Sequence, residues 1–368
     1  MKPIVVLALA AAASLCPFIH AVAADAKEIA AAQAWVKQNV PGLPDAVVSG
    51  AATEGSVMLY CLVSSCPEPL VNAFQQTFPF VKVQVYRSSG GALSERFAAE
   101  SRADRKIADV VMNSSATVLD RFAKDGYLLN WTPPSGEMVP KAYRRDGFWY
   151  GIGLLHMGIA WNTDKVTPAQ QKWLENVATW KDIANPEFKG KTALTHVRAG
   201  GTAHIVYYYL KQTQGDAYLQ NLKTNLEPVL FDSINTLSER LVSGEYAYTP
   251  LGPIDIGVLN DLVGRGAPMG WRFPEPGLAL AYAAGVSARA PHPNAAKLFA
   301  AWSASLAGQT AYVNTAGMAP MRTGIVDKRP ITANKYYKLP RTMYTADWEA
   351  IDKSLPAMTA DFKRVFNN

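Results

Sequence analysis

The chain has 368 residues, a formal net charge of +6 and a pI near 9.0, yet only 18% of its residues are charged, below the globular average of about 25%. Its Lys and Arg are scattered, with no run of five or more. Nucleic-acid binding calls for a concentrated basic stripe, so nucleic acid is not expected as a partner and the basicity reads as a mild bias toward acidic solutes or as a surface property.

The first residues read as an export leader. Lys2 precedes an apolar stretch over residues 4–15, and Ala21-Val22-Ala23 supplies a small-x-small cleavage pattern. Residues 1–23 are therefore expected to be a signal peptide, because the apolar core is too short to span a bilayer. Cys16 raises lipid modification, but Leu15 stands before it where that processing needs a small residue. No later run of about 20 apolar residues occurs, so the expected mature chain is exported and soluble. Its length exceeds one ordinary core and predicts two lobes.

One pattern then repeats three times before residue 125. An apolar strand-like run ends in small hydroxyl residues or glycine and feeds an amphipathic helix. Residues 58–63 end at Ser64-Ser65 before a helix over 69–78. Residues 81–86 end at Ser88-Ser89-Gly90-Gly91 before a helix over 92–103. Residues 108–112 end at Asn113-Ser114-Ser115 before a helix over 117–124. This alternation implies a parallel sheet with right-handed crossovers. All three clusters then lie beyond the carboxyl ends of the strands, where open α/β sheets bind ligands. Each also meets a helix N-terminus, whose free N–H groups and dipole favour anionic atoms. One such cluster is most simply a cap and a turn; three in register favour a ligand cleft.

Cys61 and Cys66 flank the first strand-to-loop transition, and export places them in an oxidising compartment. A disulfide between them is expected, since no C-x-x-C or clustered His accompanies them to make a metal site.

Beyond residue 125 the rhythm changes. An apolar run from Phe148 to Trp161, interrupted by Gly151 and Gly153, reads as two strands or as one strand with a flexible point. A run of the same character over 278–287 precedes Pro291-His292-Pro293-Asn294, which opens a helix through Ser305. Between them lies a second α/β set: a strand over 192–195, a glycine-bearing loop over 196–201, a helix over 202–213, a strand over 245–249 and a helix over 256–263. An α/β lobe interrupted by another, joined by two extended crossings, is a hinged clamp that closes over a ligand.

These residues resemble a family. "VMLYCLVSSCPEPLVNAFQQTFPFVKVQVYRSSGGALSERFAAE" and "ADVVMNSSATVLDRFAKDGYL" look like the first lobe of periplasmic solute-binding proteins of ABC importers. The similar branch includes binders of ferric iron, thiamine, phosphonates and sugar phosphates. "GIGLLHMGIAWNTDKV", "TWKDIANPEFKGKTALTHVRAGGTAHIVYYYL" and "AAGVSARAPHPNAAKLFAAWSASLAGQTAYV" match its successive landmarks, and "NTAGMAPMRTG" its third crossing. The resemblance implies a type II two-lobe clamp, each lobe a mixed, mostly parallel sheet flanked by helices. Lobe one is expected over residues 24–152 with a return over 284–319. Lobe two is expected over 153–283 with C-terminal helices over 320–368. It also implies a periplasmic monomer that hands a small-molecule solute to an inner-membrane permease, with no cofactor and no catalysis.

The resemblance leaves the solute open. Ferric-binding members carry a His in the first loop, a Glu after the third strand and an adjacent Tyr pair in lobe two. Here those places hold Ser64 and Ser65, then Asn113, Ser114 and Ser115, then Tyr248-Thr249-Pro250-Leu251-Gly252-Pro253. Tyr207-Tyr208-Tyr209 fall inside a helix, where successive side chains point about 100° apart and do not converge on one ion. Iron and any metal site are therefore not expected. Arg198-Ala199-Gly200-Gly201-Thr202 resembles the family's anion-contacting loop: glycine lets the backbone approach closely, and Arg198 grips a carboxylate or phosphate bidentately or else pairs with a surface acid.

The expected ligand residues are Ser64, Ser65, Ser88, Ser89, Gly90, Asn113, Ser114, Ser115, His156, Arg198, Gly200, Gly201, Thr202 and Gly252. His156 is either a cleft residue or a core histidine, and Trp149 and Tyr150 either stack on a planar ligand or pack inside. A cationic solute such as a polyamine or thiamine would draw on Asp232, Asp255 and Trp149. An exported hydrolase is disfavoured, since no serine lies in a G-x-S-x-G elbow and the few histidines lack zincin spacing. A sensor that presents its solute to a membrane receptor kinase has the same sequence character as an importer subunit.

Overall fold

The computed structural model describes residues 25–62, 65–197, 201–251 and 256–366. The expected leader, Ser64, Arg198, Gly200, Gly252 and Asp255 lie outside the described residues. Among the described residues, no helix is long and apolar enough to cross a membrane.

After helices α1 (Ala26–Asn39) and α2 (Asp45–Glu54), the threefold pattern becomes β1 (Ser56–Leu62), α3 (Glu68–Thr77), β2 (Lys82–Ser88), α4 (Gly90–Arg102), β3 (Val110–Asn113) and α5 (Ala116–Lys124). β1 runs parallel to both β2 and β3, with Leu62 opposite Ser88 and Tyr60 opposite Val111. The three strand ends therefore open on one edge, as the spacing predicts. β1 reads as an unbroken apolar run because both its faces are covered. Leu59 and Cys61 join a core with Phe74 of α3, while Tyr60 joins Phe97 and Phe122 of α4 and α5 on the opposite face.

The chain then forms β4 (Arg144–Arg145), β5 (Trp149–His156) and β6 (Ile159–Asn162). The long apolar run is thus two strands broken at Met157-Gly158. It returns only after α6 (Pro168–Glu175), β7 (Ala193–Thr195), α7 (Gly201–Leu226), β8 (Val229–Phe231), α8 (Ile234–Val242), β9 (Tyr248–Thr249), α9 (Ile256–Gly264) and β10 (Met269–Arg272). The returning strand, β11 (Ala279–Val286), inserts antiparallel between β3 and β5, giving the sheet order β2-β1-β3-β11-β5-β4. The second lobe is mixed as well. β10-β6-β9 is antiparallel and β7-β8 parallel, with Thr192 bridging in parallel to Tyr248.

The glycines of β5 are required by packing rather than by bending. A Cβ on Gly151 would lie 2.5 Å from Met321 Sδ, and one on Gly153 would lie 2.8 Å from Tyr312 Cε1. These contacts come from α11 (Leu306–Ala316) and from a third crossing, where Leu154 and Ala319 exchange backbone hydrogen bonds of 3.0 and 2.7 Å.

Two carboxylates, one buried and one half-buried, fix α10 (Pro293–Ala304) against the first lobe. Asp109, with no side-chain exposure, accepts from Met58 N at 2.7 Å and His292 N at 2.8 Å, and its other contact is His292 Nδ1 at 2.9 Å. Burial pushes its carboxyl above the usual range, against the pull of those hydrogen bonds. Glu54 accepts from the backbone N–H of Asn294 and Ala295, where the helix dipole favours a negative charge. The chain ends in α12 (Trp348–Phe366), which packs on α7 of lobe two and on α5 of lobe one.

Cys61 and Cys66 are joined by a disulfide, with both residues fully buried. Replacing both by serine is expected to lower the unfolding free energy by about 2 kcal/mol, the chain-entropy value for so short a loop. A lower urea midpoint at unchanged m-value would register it; alkylation of both thiols in the unreduced native protein would show that no bridge forms.

Candidate functional site

The three clusters do different work. Ser65 is fully buried, and its hydroxyl donates to Leu62 O at 3.1 Å. In this structure it shapes the first turn. Ser88 and Ser89 end the sheet's edge strand. Ser88 hydrogen-bonds toward the Tyr86 hydroxyl, while Ser89 is exposed and caps α4 without a side-chain bond.

The second and third clusters are wired together. The Ser94 hydroxyl donates to Gly90 O at 2.6 Å and accepts from Asn113 Nδ2 at 3.0 Å. Asn113 is buried, and its Oδ1 accepts from Ser115 N at 2.9 Å. Its side chain sets the loops around it and does not face solvent. Ser115 is the N-cap of α5, its Oγ accepting from Val118 N at 3.3 Å. Ser114 stays partly open beside Tyr143, Trp149, Ala281 and Trp348.

That corner leads into a cavity of about 670 Å³. One wall is α5 with Thr117, Asp120, Arg121 and Lys124. The opposite wall is the start of α12 with Trp348 and Asp352, and Arg144, Arg145 and Trp149 form the floor. Asp120 accepts from Trp149 Nε1 at 2.9 Å and from Arg145 Nη1 at 3.1 Å. Burial raises the Asp352 carboxyl, opposed by the hydroxyls of Thr117 and Ser115 and by the charge of Arg121. Thr117 Oγ1 is itself buried and makes no hydrogen bond within normal length. The sequence reading missed this wall, because nothing local to residues 346–353 signals contact with a helix more than 220 positions earlier.

Other expected residues turn inward. His156 ends β5 at 4% exposure, its ring 6.0 Å from Phe273 and its Nδ1 without a hydrogen bond. Burial, with the Arg329 charge adding to it, pushes its pKa down to about 4. It sits as a core histidine, one of the two places the sequence left open for it. The Tyr150 hydroxyl pairs with Ser303 Oγ at 2.9 Å inside the core, whereas Trp149 shows only an edge to the cavity. Along α7, Tyr207 donates to Asp361 and Tyr209 packs on Tyr344, so those tyrosines diverge as the helical period requires.

In lobe two, Gly201 and Thr202 are the first residues of α7, which puts free N–H groups where the expected anion loop ends. Asp232 lies exposed in the turn between β8 and α8. Among the described residues, no group of three or more His, Cys, Asp or Glu side chains is placed to hold a metal ion.

The family model described as bacterial extracellular solute-binding protein matches residues 69–338. No curated protein matches the chain. Solved structures do. Iron-bound HitA from Pseudomonas aeruginosa superposes with a TM-score of 0.66 at 19% identity, over 83% of this chain and 99% of that one. The Trichodesmium protein solved in complex with iron and citrate ligands gives 0.64 at 18%, over 84% and 99%. The substrate-binding protein of an ABC transporter from Agrobacterium tumefaciens gives 0.64 at 15%, over 85% and 97%. At these identities the likeness establishes the fold.

The state of His156 carries a pH signature. Its folded pKa of about 4 lies below the 6.5 of a free histidine side chain, so the unfolded chain takes the proton first. Its contribution is complete above pH 6.5 and is lost as pH falls toward 4. Between pH 7 and 4.5 that loss is about 2–3 kcal/mol. His156→Gln should shrink the pH 7-to-4.5 difference in urea-unfolding free energy by that amount. His204, lowered to about 4 by burial as well, retains its own share. An unchanged difference in the variant would mean that His156 is solvated.

Proposed function

The chain belongs to the family of bacterial extracellular solute-binding proteins, and from that premise we propose that it captures a small organic anion. The solute is a carboxylate, phosphate ester or phosphonate, enclosed between the lobes in the periplasm and delivered to an ABC importer permease. The observation that supports the reading is the shared edge on which the parallel strands β1, β2 and β3 end and helices α3, α4 and α5 begin, with Ser114 and Ser115 at the end of β3; the start of α7 is taken to face it across the cleft.

Closing a cleft over an anion strips its hydration, and convergent donors with a compensating charge are needed to offset that cost. In this reading Arg198 supplies the charge, the backbone N–H groups of Gly201 and Thr202 hold the same group, and the serines at the end of β3 complete its shell. The two strand crossings and the third at Leu154 and Ala319 serve as the hinge. A second reading follows from the ferric-binding neighbours. A ferric ion bound together with citrate, the pair of ligands in the Trichodesmium structure, would bring its own hard oxygen ligands and present carboxylates to the same donors.

A thermal-shift screen over organic acids, phosphorylated compounds, polyamines and ferric citrate tests both, since a true ligand raises the melting temperature according to its concentration relative to Kd. Stabilisation by polyamines alone would overturn the anion reading. With the stabilising anion in hand, Arg198→Ala should weaken binding by about 2–5 kcal/mol, and Arg198→Lys should recover only part of that. Small-angle scattering should show a smaller radius of gyration when the ligand saturates the protein.

A further inference from the structure

Helix α12 is held at its two ends by different lobes. Near its C-terminus, Asp361 accepts from Tyr207 Oη at 2.8 Å and from Lys211 Nζ at 2.9 Å, and Phe362 lies 4.6 Å from His196 and 5.2 Å from Tyr207. These partners belong to lobe two. At its N-terminus, Trp348 and Asp352 face α5 of lobe one.

Pro356 sits between the two halves. A proline has no N–H for the carbonyl four residues earlier, here that of Asp352, and its ring crowds that carbonyl, which makes this the weakest point of the helix. The seat of the helix is loose on both sides of that point. The cavity of about 670 Å³ opens between its first half and α5, and another of about 310 Å³, lined by Tyr208, Ser354 and Met358, runs beside its contact with α7.

We infer that α12 is a strap between the lobes that bends at Pro356, its first half closing onto the N-terminus of α5 with Asp352 as the latch on Ser115 and Thr117. Two physical needs are met when it closes. Asp352 already stands beside the hydroxyls of Thr117 and Ser115, and closing brings the buried Thr117 Oγ1, which has no partner within normal hydrogen-bond length, to full bonding distance of that carboxylate; an unpartnered buried hydroxyl is costly to leave so. The carboxylate in turn gains the positive end of the α5 dipole and the charge of Arg121. The strap links the lobes independently of the β5 and β11 crossings, so it biases how far they open whatever the solute is.

Spin labels on Lys124→Cys and Lys353→Cys, exposed positions on opposite walls of the larger cavity, report the gap directly. The two remaining cysteines of the mature chain are tied in their disulfide. Pulsed electron paramagnetic resonance on the solute-free protein should give a distance distribution with a short component. Asp352→Ala should lengthen the mean by several ångström and deplete that component, while Asp352→Asn, which still hydrogen-bonds, should retain part of it. Pro356→Ala should narrow the distribution by stiffening the helix. An unchanged mean in Asp352→Ala, or an unchanged width in Pro356→Ala, with circular dichroism showing native helix content, would overturn the strap. If the alanine variant at 352 does not fold, the asparagine variant carries the same test. No solute enters the measurement, so its failure is distinct from failure of the anion reading.

Discussion

The constraint on which this architecture rests is the insertion of β11 between β3 and β5. Without it, β3 would end the first sheet with a row of unpaired N–H and C=O groups inside a dry core, a state proteins avoid. Among the described residues, the strand that satisfies both β3 and β5 is one that returns from lobe two, with Ala283 opposite Asn113 and Ala279 opposite His156. The chain must therefore leave the first sheet, build a second lobe and come back. The double crossing between the lobes is a consequence of completing the sheet.

Buried and half-buried charges reinforce the same joint. Asp109 ties β1 to the start of α10, immediately after β11, and Glu54 reaches the same helix from α2. Farther on, Arg329 is buried with its guanidinium shared between the Asp327 carboxylate, the Gly317 carbonyl and the Tyr337 hydroxyl. Each charge is fully partnered, the condition under which burial is tolerated. Breaking one partner strands the others, so these positions tolerate little change. The surface ion pairs, by contrast, contribute little each.

The third strand end combines structural and functional demands. Asn113 and Ser94 spend their hydrogen bonds joining neighbouring loops, which leaves Ser114 and the free N–H groups of α5 as the part of the cluster open to other groups. Fixing a loop with buried side chains so that its backbone can act is how a rigid scaffold presents a binding surface. The start of α12 occupies the space opposite, which places an acidic and an aromatic residue from the far end of the chain beside hydroxyls from its first third.

The sequence by itself determined what depends on local repeat and local chemistry. The alternation of strand, small-residue turn and amphipathic helix located β1, β2 and β3 and the parallel register, because period and cap residues report backbone geometry within a few positions. The spacing of Cys61 and Cys66 pointed to their bridge for the same reason. Only the tertiary structure decided which hydroxyls of each cluster remain open and which turn inward. Ser65 and Asn113 look like Ser114 and Ser115 in sequence, and packing against distant segments separates them. His156 is neutral because residues as far away as Phe273 and Arg329 surround it. Asp352 meets α5 because α7 and the returning sheet hold α12 across both lobes. Such contacts are fixed by shape complementarity between remote elements, and no local periodicity encodes them.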